Sequence, residues 1–209
     1  MNQILVLSII ALGIVGLIWR FSSRRHEIPC PAWLGWMVEM DNPFTKVNRA
    51  RVIVGLLELD SGMKVLDAGC GPGRLTLPLA EAVGPQGEVM ALDIQAGMLK
   101  RVREKVETAH LQNVQYLNAG LGEGKLPPTY FDRAVLVTVL GEIPDQETAL
   151  KEIYIALKPN GILSVTEVIF DPHFHRRETV LHTAQAVGFK EKNFFGKPLA
   201  YTMHLEKTE

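Results

Sequence analysis

From Thr45 onward, the apolar positions of the chain alternate between two periodicities. Short apolar runs typical of strands are separated by segments whose apolar residues recur at helical spacing. Strands are predicted at residues 64–68, 88–93, 114–118, 133–139, 162–169, 190–195 and 200–206, and helices at residues 45–58, 74–83, 96–109, 146–157 and about 177–187. This order predicts a doubly wound α/β sheet, mostly parallel, with helices on both faces.

The end of the chain departs from that alternation. Only a short connection, beginning Gly196-Lys197-Pro198, separates the last two predicted strands, which leaves no room for a crossover helix. Parallel neighbours need such a crossover, whereas antiparallel neighbours do not. We therefore expect one antiparallel strand near the carboxyl terminus.

The amino terminus has a different pattern. Residues 4–19 read ILVLSIIALGIVGLIW without a charge, and Arg20, Arg24 and Arg25 follow. Together with its flanks the run is long enough to cross a bilayer, and the arginines after it favour a cytoplasmic carboxyl side. The rivals are a cleavable signal peptide, which would have its positive charge before the apolar run, and a core helix. We expect residues 1–25 to form a single transmembrane helix preceding the sheet, with the catalytic domain on the cytoplasmic side of the membrane.

Residues 26–44 are rich in proline and tryptophan and separate this run from the domain at residues 45–209. They are interpreted as a membrane-proximal linker. Trp33 and Trp36 suit a headgroup environment, and they equally suit a cap over the domain core or a substrate pocket.

Charge and cysteine usage narrow the possible partners. The net charge is −1, and the densest basic cluster, on the helix predicted at residues 96–109, alternates with glutamates. Such alternation is typical of a solvated helix face, so no nucleic-acid partner is expected. The two cysteines, Cys30 and Cys70, belong to no Cys/His cluster, so no metal site is indicated.

The first predicted strand runs into the glycine-rich segment VLDAGCGPG, residues 65–73. Glycines allow a sharp turn and a close approach of a ligand to the backbone. The third glycine, Gly73, comes one position earlier than in the G-x-G-x-x-G loop of dinucleotide-binding folds. This spacing favours a compact nucleoside that carries an amino acid over a pyrophosphate.

A second signal lies one strand further along. Asp93 closes the second strand, 20 residues after Gly73, the distance at which a carboxylate reaches a cofactor ribose. Ile94 and Met98 follow it as apolar groups placed to pack on an adenine face.

These segments resemble the class I S-adenosylmethionine-dependent methyltransferase family, which has a Rossmann-like fold. The resemblance covers about residues 45–207 and rests on VLDAGCGPGRLTLPLA, EVMALDIQAGML, FDRAVLVTVLGEIPD, LKPNGILSVTE and GFKEKNFFGKPLAYTMHLEK. It implies S-adenosylmethionine as cofactor and a methyltransferase activity.

The resemblance also implies roles for individual residues. Asp67 should lie near the amino group of the cofactor, Asp93 should hold the ribose hydroxyls, and Thr138 should line the pocket near the transferred methyl group. Where many members place an aspartate for the adenine amino group, this chain has Asn118, followed by Ala119. The methionine moiety should be lined by the loop residues Gly69, Cys70, Gly71 and Gly73.

Candidates for proton transfer lie after the fourth and fifth strands. They are Glu142, Asp145, Asp171, His173 and His175. Each has a structural alternative: Asp145 is placed to cap a helix, and the two histidines suit a surface turn.

The acceptor is expected to be a small, hydrophobic or membrane-associated molecule, such as a lipid or a quinone-type compound, since a membrane anchor raises the effective concentration of such substrates. Two other classes remain open: an NAD(P)-dependent oxidoreductase of Rossmann type, and a non-catalytic, membrane-bound binding subunit.

Overall fold

The computed structural model describes residues 45–208 of the 209-residue chain. The predicted transmembrane helix at residues 1–25 and the linker at 26–44 lie outside this range. Within residues 45–208, no helix is both long and apolar enough to cross a bilayer.

Seven strands and five α-helices make up the described domain, with a short 3₁₀ turn at Leu140–Glu142 after the fourth strand. The strands are β1 Lys64–Ala68, β2 Glu88–Asp93, β3 Val114–Asn118, β4 Phe131–Val137, β5 Leu157–Val168, β6 Phe189–Lys197 and β7 Ala200–Lys207. The helices are α1 Ala50–Leu56, α2 Thr76–Val83, α3 Ala96–Thr108, α4 Gln146–Ala156 and α5 Arg177–Ala186.

All seven strands form one sheet in the order β3-β2-β1-β4-β5-β7-β6. Strand β7 pairs antiparallel with both β5 and β6, and the other observed pairings are parallel. The predicted mostly parallel sheet with one reversed strand is therefore confirmed. The strand order reverses between β1 and β4, and in open α/β sheets ligands bind at the carboxyl ends of the strands beside such a reversal.

Helices cover both faces of the sheet, as the alternation predicts. On one face, α1, α2 and α3 pack on β1, β2 and β4 through a core that includes Ile53, Leu79, Val102, Val89 and Val135. On the other face, α4 and α5 pack on β4, β5 and β7 through a core that includes Ile153, Val180, Leu136, Leu163 and Met203.

Two predicted boundaries are wrong by more than two residues, both for local reasons. The segment 158–161, which separates the predicted helix from the predicted strand at 162–169, belongs to β5, which starts at Leu157 directly after α4. Phe131 pairs with Leu157 while Arg133 pairs with Ile162, so the extra residues form an irregularity in the strand, with Asn160 at φ 62°. Helix α1 starts at Ala50 rather than at residue 45, because Arg49 is extended and residues before it form turns.

Candidate active site

The glycine-rich loop turns sharply at the carboxyl end of β1. Gly69, Gly71 and Gly73 all have positive φ, at 69°, 52° and 90°. A Cβ on Gly69 would lie 2.6 Å from Cγ2 of Val139, so the loop packs directly on the segment that follows β4. Only glycine meets both requirements at this position.

Strand β2 holds this loop in place. The backbone N–H groups of Gly69 and Cys70 donate to the carbonyl of Leu92 at 2.8 and 2.9 Å. Oδ2 of Asp93 accepts from the N–H of Gly71 at 2.9 Å, and its Oδ1 accepts from the N–H of Gln95 at 2.8 Å. Burial raises the pKa of Asp93, although the two N–H donors oppose that shift.

Asp67 lies one strand over, near the end of β1, and is 3% exposed. Its Oδ2 accepts from the hydroxyl of Thr76 at 2.6 Å. Burial, with a smaller contribution from the charge of Asp93, raises the pKa of Asp67 to about 6. The two carboxyl groups therefore make the carboxyl ends of β1 and β2 electronegative, which favours a cationic ligand.

The residues predicted to contact adenine include one exposed apolar side chain and two buried ones. Ile94 is 62% exposed, whereas Met98 and Ala119 are buried. The amide nitrogen of Asn118 donates to the carbonyls of Asp93 and Ile94 at 2.9 and 3.0 Å. This side chain therefore ties the end of β3 to the end of β2, and its amide oxygen is the group that can accept from a ligand.

Thr138 and Cys70 both have side chains directed at the backbone. Thr138 has a φ of 55°, its N–H donates to the carbonyl of Thr166 at 2.9 Å, and its hydroxyl donates to the carbonyl of Val137 at 2.7 Å. Cys70 is buried with Sγ 3.6 Å from the carbonyl of Gly71, and burial raises the pKa of its thiol. A thiol with a raised pKa is a poor nucleophile, so Cys70 acts in packing.

Most of the predicted proton-transfer candidates come together where the turn after β4 meets the loop after β5. Nδ1 of His173 lies 3.8 Å from Oε1 of Glu142 and 3.8 Å from Oδ1 of Asp171, and the Nδ1–H of His175 donates to the carbonyl of His173 at 2.9 Å. The surface interpretation is wrong for His173, which is 7% exposed, since the loop after β5 folds back onto the 3₁₀ turn. Asp145 instead caps α4, accepting from the N–H of Thr148 at 3.0 Å.

Glu167, near the end of β5, is a residue that the sequence analysis missed. It is 1% exposed, and its Oε2 accepts from the N–H of His175 at 3.1 Å. Burial is the main cause that raises the pKa of Glu167 to about 8. The rule that selects Asp93, an acidic residue at the carboxyl end of a buried strand, would also have selected Glu167.

Most of the described domain is similar in sequence to known methyltransferases. A family model described as a methyltransferase domain matches residues 59–202. Demethylmenaquinone methyltransferase of Listeria welshimeri is 38% identical over 109 residues, covering 52% of this chain and 46% of the relative. The protein of the same name from Geobacillus stearothermophilus is 38% identical over 106 residues, covering 51% and 45%. The matched stretch thus spans about half the length of these curated relatives.

Solved structures show the same fold at low sequence identity. A SAM-dependent methyltransferase from Aquifex aeolicus superposes with a TM-score of 0.76 and 20% identity, covering 86% of this chain and 100% of that one. The [4+2]-cyclase SpnF superposes with a TM-score of 0.64 and 23% identity, covering 70% and 58%. Because one of these neighbours is named as a cyclase, the fold alone does not assign the reaction.

Proposed function

The chain belongs to the methyltransferase-domain family, and from that premise we propose that it methylates a small lipophilic acceptor of the quinone type. The chain is a SAM-dependent methyltransferase, and its cofactor is S-adenosylmethionine. The observation that carries the acceptor class is the 38% identity, over 109 residues, to a demethylmenaquinone methyltransferase.

The residues at the carboxyl ends of β1 and β2 fit this cofactor. S-adenosylmethionine carries a sulfonium and an ammonium group, and the buried carboxyl groups of Asp67 and Asp93 supply the matching negative charge. The Gly69–Gly73 turn lets a ligand approach the main chain. We assign the ribose hydroxyls to Asp93, the amino group to Asp67 and the adenine ring to Ile94 and Asn118.

When bound, the cofactor supplies an electrophilic methyl group, and the protein contributes orientation and proton handling. A hydroxylated or hydroquinone acceptor loses one proton as it gains the methyl group. We name the turn after β4, the loop after β5 and the β6–β7 connection the acceptor side. We assign this proton to the pair of Glu142 and His173 on that side. Nδ1 of His173 lies 3.8 Å from Oε1 of Glu142, close enough for the carboxylate to stabilise a protonated imidazole.

Exposed apolar side chains on the acceptor side support a lipophilic substrate. Phe170 and Leu199 are 61% and 59% exposed. The N–H of Ile169 donates to the carbonyl of Leu199 at 2.8 Å, which joins the end of β5 to the β6–β7 connection. Both residues therefore lie at the carboxyl ends of the parallel strands, the same end of the sheet as the glycine-rich loop. Apolar surface of this kind suits an acceptor with a hydrocarbon tail.

We further propose that residues 1–25 anchor the chain in a membrane, with the catalytic domain on the cytoplasmic side. The uncharged run at residues 4–19, with arginines after it, supports this arrangement. An anchored domain meets a membrane-dissolved acceptor at a high effective concentration.

The test uses the full chain in lipid nanodiscs with methyl-labelled S-adenosylmethionine. Demethylmenaquinone is offered in its reduced and its oxidised form, and total membrane lipid extract is offered in parallel. We expect label in the reduced quinone and none with Asp93→Ala. Label in another lipid, or in none, would contradict the quinone class while leaving the methyltransferase family unaffected.

A further inference from the structure

Glu167 is the most deeply buried acidic side chain among residues 45–208, at 1% exposure against 3% for Asp67 and 6% for Asp93. It is the penultimate residue of β5, directly opposite Tyr201 on β7. By strand alternation it points to the face covered by α4 and α5, as Leu163 and Val165 do.

The groups around Glu167 are mainly acidic or neutral. Glu142 comes from the turn after β4, and Asp171, His173 and His175 come from the loop after β5. Tyr201 comes from β7, with Arg177 and Glu178 of α5 close to it. The Arg177 guanidinium is bonded to Glu191 and lies over the ring of Phe194, so its charge is already paired.

The two oxygens of Glu167 have different surroundings. Oε2 accepts from the N–H of His175 at 3.1 Å, whereas Oε1 is fully buried without a hydrogen-bond partner. A charged carboxylate would leave that second oxygen without solvation, whereas a neutral carboxyl group leaves far less charge unsolvated. Burial, together with the charges of Asp171 and Glu142, raises the pKa of Glu167 to about 8. The side chain is therefore mostly protonated at neutral pH.

His175, whose N–H donates to Glu167, makes further hydrogen bonds that tie the loop together. The carbonyl of the same His175 accepts from the Tyr201 hydroxyl at 3.0 Å. Its ring bonds to the carbonyl of His173 at 2.9 Å. That carbonyl would lie only 2.1 Å from a Cβ on Gly141, so the loop packs backbone against backbone on the turn that carries Glu142.

We propose that Glu167 is a positioning residue that works as an uncharged carboxyl group. It holds His175, and through His175 the ring of His173, against the turn that bears Glu142. When Glu167 loses its proton, its negative charge lies beside Asp171 and Glu142. The repulsion among these three carboxylates then releases the loop. This inference rests on the proposed function only in naming this loop as the acceptor side of the site.

Amide hydrogen exchange of residues 171–176, corrected for the intrinsic effect of pH on exchange, tests the proposal without an acceptor. In the wild type we expect protection that is constant below pH 7 and falls up to tenfold per pH unit above about pH 8. Glu167→Gln keeps the acceptor for His175 and stays neutral, so its protection should not depend on pH. Glu167→Ala should lose protection at every pH.

Glu152→Gln is the matched control, because Glu152 is also a buried glutamate that accepts backbone N–H groups, from Gly122 and Leu126. It should leave the pH dependence of residues 171–176 as in the wild type. The infrared difference between wild type and Glu167→Gln should contain a protonated carboxyl band at pH 6.5 that is absent at pH 10. A carboxylate band at pH 6.5 would overturn the proposal.

Methyl transfer to reduced demethylmenaquinone separates positioning from proton abstraction. We expect Glu167→Gln to retain kcat and Glu167→Ala to raise the acceptor KM at least tenfold, both with unchanged affinity for S-adenosylhomocysteine. If Glu167→Gln binds S-adenosylhomocysteine and protects the loop but loses kcat, Glu167 is the base and the proposal is wrong. If this quinone accepts no methyl group while the exchange results hold, the proposed acceptor fails and the role of Glu167 stands.

Discussion

Oδ2 of Asp93 accepts the backbone N–H of Gly71 at 2.9 Å, so the acid that closes β2 also holds the loop that follows β1. The geometry of the loop therefore depends on the same side chain to which we assign the ribose hydroxyls of the cofactor. The second oxygen caps the segment leading into α3 through the N–H of Gln95. Removal of this carboxyl group therefore frees both the glycine-rich loop and the segment before α3.

Asp93→Ala is expected to weaken S-adenosylhomocysteine binding by about two orders of magnitude, roughly 2.7 kcal/mol, since hydrogen bonds to a charged group are lost. Isothermal titration at pH 7.5 measures the change. Asp132→Ala is the matched control. Asp132 also accepts a backbone N–H, that of Lys64, but it does so at the amino ends of the strands, away from the glycine-rich loop. Equal losses of affinity in the two variants would contradict the assignment.

Gly69→Ala should destabilise the domain more than Gly124→Ala. The two glycines have nearly the same positive φ, 69° and 71°. A Cβ on Gly69 would lie 2.6 Å from Val139, whereas one on Gly124 would meet nothing within 4 Å. We expect both to cost about 1–2 kcal/mol in backbone strain and Gly69→Ala about 1–3 kcal/mol more from overpacking. Urea unfolding measures both, and adding Val139→Ala should recover the excess; no recovery would exclude the clash as its cause.

Cofactor affinity should depend on pH through Asp67. Because burial raises the pKa of this carboxyl group to about 6, it is charged above that pH and neutral below it. A ligand ammonium group is stabilised only by the charged form, so affinity should fall up to tenfold per unit as the pH drops below 6. Titrations with S-adenosylhomocysteine from pH 5 to 8 measure this slope. Asp67→Asn should bind weakly and lack the slope, and a slope that persists would assign it to another group.

Ile94→Ala should weaken cofactor binding about fivefold, close to 1 kcal/mol, with little effect on stability. The side chain is 62% exposed, so folding does not depend on its burial. Its Cδ1 lies 3.7 Å from the position of a Cβ on Gly120, which places it between the ends of β2 and β3. Ile155→Ala, at a 49% exposed isoleucine on α4, is the matched control and should leave affinity unchanged. Equal affinities for the two variants would contradict the assignment of Ile94 to the adenine ring.

His204 should make the domain sensitive to acid. Burial is the main cause that lowers the pKa of His204 to about 4, against 6.5 for a solvated histidine. The unfolded chain then binds one more proton than the folded chain between these values, so stability falls as the pH drops through this window, by about 1.4 kcal/mol per unit. His204→Phe, which keeps an aromatic contact with Phe195, should lose this component, whereas His182→Gln on the exposed face of α5 should keep it. Urea unfolding from pH 4 to 7 measures the difference.

The sequence by itself determined the order of strands and helices, because apolar periodicity is a local property. Strands β1, β2 and β3 begin and end where the pattern predicts. The reversed strand also followed from the chain alone, since the short connection before β7 cannot hold a helix. The location of Asp67 and Asp93 at the carboxyl ends of β1 and β2 followed for a related reason. In a parallel sheet, a position at the end of a strand already implies a position at the end of the sheet where ligands bind.

Only the tertiary structure decided how the proposed acceptor side is built. The loop after β5 folds onto the turn after β4 because Gly141 allows the backbone at His173 to approach, and that contact joins residues about 30 positions apart. It buries His173, which the sequence left as a surface residue, and it brings the N–H of His175 to Glu167. The burial that raises the pKa of Glu167 comes from strands and loops distant in sequence. The apolar pattern places this residue near the end of a buried strand, but it does not show which groups pack against it.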